Sequence, residues 1–212
     1  MKILKQIIEL LFKFFVNKSP GNNKGGFSPE DTMNPDDVKT KFISGLHHTN
    51  SLFAYSTIIG NTEYIFEDSS WESARSSGVT DIKVMCQKIS KEVYWFLYKL
   101  ATDNYLSHVY ISSLWRPNAS IHTIGIAVDL GKITSADNET IFLYNNGDSS
   151  CPELVNQIRK WSWKSGLINQ YIGPWYHKGI LGWRKGWHKN KLKYSIELQH
   201  QNHIHITVKV GR

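Results

Sequence analysis

His122 and Asp129 stand seven residues apart with Gly125 between them, and His203 and His205 lie near the far end of the chain at i and i+2. On a straight strand an odd separation sends two side chains to opposite faces, so His122 and Asp129 converge only if the chain turns between them. Gly125 permits that turn, and Ala127 is small enough for neighbouring chain to approach closely. His203 and His205 fall on one face of a strand and can share a site. His122, Asp129 and one of these two imidazoles make a set of two nitrogens and one oxygen that suits zinc and leaves a fourth position for water. A closed structural zinc would need four ligands, usually with several thiolates, and the chain has only Cys86 and Cys151. An open zinc site lowers the pKa of water to about 7 and polarises a carbonyl, so amide hydrolysis is the expected reaction class. Hydrolysis also needs a proton acceptor. The candidates are the histidine left over from the pair and, second, His200, five residues before His205.

The string Ser120-x-His122-x-x-Gly125-x-Ala127-x-Asp129, followed far downstream by His203-x-His205, resembles the signature of a family of zinc peptidases. That family includes D-alanyl-D-alanine carboxypeptidases and dipeptidases and penicillin-insensitive murein endopeptidases, and the hedgehog signalling domain shares a related fold. The resemblance implies zinc held by His122, Asp129 and the second histidine of the pair, His205, with His203 in the catalytic position. The spacing His200-x-x-His203-x-His205 is most similar to the murein endopeptidase branch, which uses histidines where other branches place a Glu. Asn202 stands three residues before His205, so that Glu is absent here, and Glu197 is a weak substitute. Ser113-Leu-Trp115-Arg116-Pro117 resembles the family's strand ending in Tyr-Arg, which makes Arg116 the expected electrostatic stabiliser of the oxyanion. Trp115 replaces the Tyr, and five residues separate Arg116 from His122. Ser120 is expected to be structural. The resemblance covers roughly residues 110–210 and implies a small antiparallel sheet carrying the zinc site, flanked by helices.

The elements that must position these residues can be read from periodicity. Residues 80–101 carry apolar side chains at helical spacing behind Asp81 and are expected to form one long helix that buries Cys86. Another helix is expected over 152–164, opened by Ser150 or Cys151. Strands are expected over 107–114, 124–130, 141–144 and 203–210. Helices and strands that do not alternate regularly point to an α+β domain. Residues 1–16 read as an amphipathic helix and 17–36 as a linker rich in Asn, Gly, Pro and Ser, which leaves 37–212 as the catalytic domain. Asp36 or Thr40 is expected to cap a short helix at its start. Residues 1–79 match no known motif and are read as a specificity element or an appendage.

The net charge of +7 favours an anionic partner. Basic and aromatic residues interleave over 178–193, a mixture that suits sugar rings or stacked bases, although no motif supports nucleic-acid binding. His47 and His48 are expected on the surface, His177 and His188 at a rim, and Gly173-Pro174-Trp175-Tyr176 in a rigid aromatic loop or the core. No cleavable signal is recognisable in residues 1–16, which are too short to span a membrane but suit contact with its surface. The expected substrate is the peptide part of peptidoglycan, cut as an endopeptidase or D,D-carboxypeptidase. Delivery to the wall or periplasm would then be by phage lysis, by a secretion machine or by membrane attachment. The alternative is a binding module of hedgehog-like fold that keeps its zinc but not its catalysis.

Overall fold

A computed structural model describes residues 33–51, 53–118, 120–145, 150–179, 182–185 and 198–211, without the side chains of Ser120 and residues 177–198. The expectations for residues 1–16 and for most of 17–36, Glu197, His188, the side chain of His177 and the basic stretch 178–193 lie outside this description, apart from the backbone of 178–179 and 182–185. Every described residue belongs to one unit that begins at Met33.

Helix α1, Pro35–Ser44, opens on Asn34, not on the expected Asp36 or Thr40. The Asn34 side chain accepts from the backbone N–H groups of Asp36 and Asp37, the Asp37 carboxylate accepts from the Asn34 N–H, and Pro35 supplies the first helical turn. The expected linker therefore ends before residue 36. Strands β1 (His47–His48), β2 (Tyr55–Ile59) and β3 (Thr62–Phe66) follow as antiparallel neighbours. A crossover containing a 3-10 turn (Asp68–Trp71) and helices α2 (Glu72–Ser76), α3 (Ile82–Gln87) and α4 (Lys91–Asp103) leads to β4 (Leu106–Ser113), which runs parallel to β3. Then come α5 (Ser120–Thr123), β5 (Ala127–Ser135), β6 (Thr140–Phe142), α6 (Glu153–Lys164), β7 (Ile168–Ile172), β8 (Tyr176–Gly179), β9 (Gly182–Lys185), a second 3-10 turn (Leu198–His200) and β10 (Ile204–Val208).

Among the described residues these strands make one ten-stranded open sheet in the order β1-β2-β3-β4-β5-β10-β7-β8-β9, with β6 also on β5. The protein is α+β, and its sheet is larger than the small one expected and contains one parallel pair. Strands β1, β2 and β3 belong to this same sheet, so they are not a separate appendage.

The single helix expected over 80–101 is two helices. Asp81 caps the first, as its spacing suggested, but that helix ends at Gln87 and the second opens after Ser90, an extended residue whose N–H goes to the Gly125 carbonyl at 2.8 Å. Lys39 Nζ donates to the carbonyls of Gln87 and Ile89 at 3.0 and 2.6 Å, satisfying groups the break would otherwise leave bare. Pro152, and neither Ser150 nor Cys151, precedes α6, with no side-chain cap. Cys86 is buried as expected, and both cysteines are free thiols.

Helices α1, α4 and α6 cover one face of the sheet. Phe42 of α1 lies 4.5 Å from the Tyr64 ring and 4.9 Å from that of Tyr94, and Phe96 meets Trp161 of α6 at 5.8 Å. Burying each such ring stabilises the fold by about 1.5–3 kcal/mol. Val109, Ile111, Val128, Leu130, Ile204 and Ile206 complete this core from the strands. Alternation sends Asp129 and His205 to the other face.

Candidate metal centre

Asp129 and His205 are direct partners across the antiparallel β5–β10 pair, so their side chains rise from one face side by side. His205 Nδ1 lies 2.7 Å from Asp129 Oδ1. His122 reaches the same point from a different kind of element. The chain leaves β4, forms the one-turn helix α5 and reverses at Gly125, whose φ of 73° is a left-handed conformation that favours glycine. A β-carbon there would also run into the Lys88 carbonyl, where the α3–α4 break brings backbone against the turn. Trp115 Nε1 donates to the Thr123 carbonyl and Thr123 Oγ1 to the Arg116 carbonyl, each at 2.8 Å, which ties the loop to itself. His122 therefore sits on a helical turn, and β5 begins at Ala127, three residues later than expected.

His122 Nε2 lies 3.2 Å from His205 Nδ1 and 3.4 Å from Asp129 Oδ1. All three residues are buried, and together they form a group that could hold a metal ion. Their outward-facing atoms are engaged. His122 Nδ1 donates to the Leu114 carbonyl, which leaves the Nε2 lone pair pointing inward. His205 Nε2 lies 3.2 Å from Thr207 Oγ1. Ser112 Oγ donates to the Asp129 carbonyl at 3.2 Å, where the β4–β5 register shifts. Burial alone would push the Asp129 carboxyl up, but its contacts with the His122 and His205 imidazoles hold it well below the usual carboxylate range.

The remaining predicted residues gather around this group. His203 shares the Asp129 side of the site, with Nε2 3.9 Å from Asp129 Oδ2 and Nδ1 2.8 Å from Asn202 Oδ1. Burial pushes its pKa down to about 4 against the opposing pull of Asp129, with His200, His205 and Arg116 adding to the fall. The His200 ring lies 4.8 Å from that of His203 and 5.4 Å from that of His205. Arg116 Nη2 approaches Asp129 Oδ2 at 3.4 Å, and its Nε–H is buried without a hydrogen-bond partner among the described residues. Arg116 also lines a polar cleft of about 390 Å³ with Glu72, Ser73, Ser76, Ser77, Pro117 and Asn118.

His47 and His48 are exposed on β1, away from this cluster, and Trp175 is buried in the core. Sequence reasoning missed Leu114, Asn202, Thr207 and Gln170. Thr207 was recoverable, because it follows His205 by two residues on the same strand face. The Leu114 carbonyl leaves no side-chain signal, and Gln170 is brought in by a strand pairing that local sequence does not encode. No helix among the described residues is long and apolar enough to cross a membrane. Comparison with protein-family models, curated proteins and solved structures found no match to this chain.

Proposed function

We propose that the chain is a zinc-dependent peptidase of the D-alanyl-D-alanine carboxypeptidase and murein endopeptidase type, acting on the peptide of peptidoglycan. The observation that carries the reading is the buried convergence of His122 Nε2, Asp129 Oδ1 and His205 Nδ1. Three lone-pair atoms held so close out of water are costly unless a cation or protons sit among them. A tetrahedral zinc with bonds of about 2.0–2.1 Å separates its ligand atoms by about 3.3 Å. Two of the three separations here are 3.2 and 3.4 Å, and the third is a 2.7 Å hydrogen bond whose proton a cation would replace. The order of residues also fits the peptidase signature, which supports zinc over other divalent ions.

Bound there, zinc would supply polarisation of the scissile carbonyl and acidification of a water molecule. His203 then serves as general base, because Asn202 engages its Nδ1 and leaves Nε2 to take a proton from the attacking water and return it to the departing amine. His200 is the alternative acceptor, one ring further from Asp129. Arg116 faces the same carboxylate and offers a fixed positive charge where negative charge develops on the carbonyl oxygen. The net charge of +7 suits an anionic wall polymer, and delivery by phage lysis, a secretion machine or attachment through residues 1–16 fits an extracytoplasmic substrate.

Digestion of purified peptidoglycan by zinc-loaded protein, followed by mass spectrometry, tests this. Peptide-bond products that vanish with EDTA and return with zinc are expected, and their masses identify the bond. A protein that holds stoichiometric zinc yet releases no fragments would instead be a zinc-containing binding module of hedgehog-like fold.

A further inference from the structure

The geometry points to Thr207 and Gln170 as positioning residues that orient His205 for metal binding, an inference that rests on the zinc reading above. Thr207 follows His205 by two residues on β10, so both side chains leave the same face of the strand. Gln170 is the direct partner of Thr207 across the β7–β10 pair. The three side chains form a continuous line: His205 Nε2 lies 3.2 Å from Thr207 Oγ1, and Thr207 Oγ1 donates to Gln170 Oε1 at 3.3 Å.

A threonine hydroxyl has a single proton, and here it goes to Gln170, whose carbonyl oxygen can only accept. The Thr207 oxygen is then left as an acceptor for His205 Nε2–H. With the Nε2 proton held by Thr207, a cation that displaces the Nδ1 proton bonded to Asp129 would meet the Nδ1 lone pair, at the atom that faces Asp129 and His122. Gln170 thus sets the hydroxyl, the hydroxyl sets the imidazole, and the imidazole offers the correct nitrogen. On the other side of β10, Ala127 is the partner of Thr207. Its methyl group leaves room for the Thr207 and His205 side chains on that face, which gives the Ala of the motif a physical role.

The two histidines are therefore oriented by different means: His122 by a backbone carbonyl that no substitution removes, His205 by side chains that substitution can remove. The test is zinc affinity of the full chain, measured by chelator competition at fixed pH. Thr207→Val keeps the shape and deletes the acceptor, and zinc binding about 10–100-fold weaker than wild type is expected. Thr207→Ser restores the acceptor and should return affinity to within about threefold of wild type. Gln170→Leu should weaken binding in the same direction by a smaller factor. NMR of the zinc-loaded protein adds a readout that general destabilisation would not move: an exchange-protected His205 Nε2–H in the wild type and Thr207→Ser, lost in Thr207→Val. Should Thr207→Val fail to fold, Gln170→Leu, altered at a partly exposed position, carries the test with the same two readouts. Zinc affinity and the Nε2–H signal both unchanged in Thr207→Val, or in Gln170→Leu if that variant carries the test, would overturn the relay and leave the zinc site standing. A wild-type protein that takes up no zinc would overturn both.

Discussion

The candidate centre is assembled from two regions built in opposite ways. Asp129 and His205 are neighbours on the β5–β10 ladder, where backbone pairing alone fixes their distance. His122 and Arg116 come from residues 114–118 and 120–126, a stretch with one helical turn held by a left-handed glycine, two side-chain hydrogen bonds and contact with the break between α3 and α4. A ladder supplies rigidity from many shared bonds, whereas a loop concentrates it in a few. The ladder half should therefore tolerate distant changes, and the loop half should fail at identifiable points.

The largest expected effect separates metal ligation from loop geometry. Replacing His122, Asp129 or His205 with Ala should abolish stoichiometric zinc and lower the proposed peptidase activity by about 10³-fold or more, read by metal analysis and turnover of peptidoglycan fragments. Equal losses from both regions would confirm that each supplies a ligand, and retained zinc in any one variant would remove that residue from the set. Next, Gly125→Ala should destabilise the protein by roughly 2–4 kcal/mol in urea unfolding, since it combines an unfavourable φ with a collision at Lys88. Its zinc affinity should fall as well, because His122 moves while the ladder pair stays.

A smaller loss, about 1 kcal/mol with a several-fold drop in zinc affinity, is expected for Trp115→Phe, which deletes the indole hydrogen bond to Thr123. The smallest effect belongs to the ladder in metal-free protein. Asp129 is held below its usual range, so its stabilising contribution is present at neutral pH and is lost as pH falls through its folded-state value. Metal-free wild type should consequently lose more stability than Asp129→Asn below about pH 4 in acid titration followed by circular dichroism. Parallel curves would mean that the carboxylate's hydrogen bonds contribute nothing to the fold.

The same division decides what the sequence disclosed. The alternation of His203-x-His205 and the period-2 pattern around it revealed the ladder half, because strand geometry is written in neighbouring residues. The need for a turn at Gly125 was legible as well. The helix break between Gln87 and Lys91 was not, because the groups that meet it, the Gly125 carbonyl and the Lys39 side chain, are distant in sequence, and helical periodicity in residues 80–101 continues through it. The burial of Cys86 was expected from the apolar run around it, but the inclusion of strands β1–β3 in the sheet was not, since the parallel β3–β4 pairing spans a long crossover. The outer residues Leu114 and Gln170 act through a backbone atom and a remote strand, neither of which local pattern can expose.

X-ray absorption at the zinc edge, on the 212-residue chain loaded with one equivalent of zinc, tests the centre most directly. Two imidazole nitrogens and a carboxylate oxygen at about 2.0–2.2 Å, with one further light-atom ligand, are the predicted shell. A shell containing sulfur, or one of six oxygens without imidazole, would contradict the assignment of His122, Asp129 and His205.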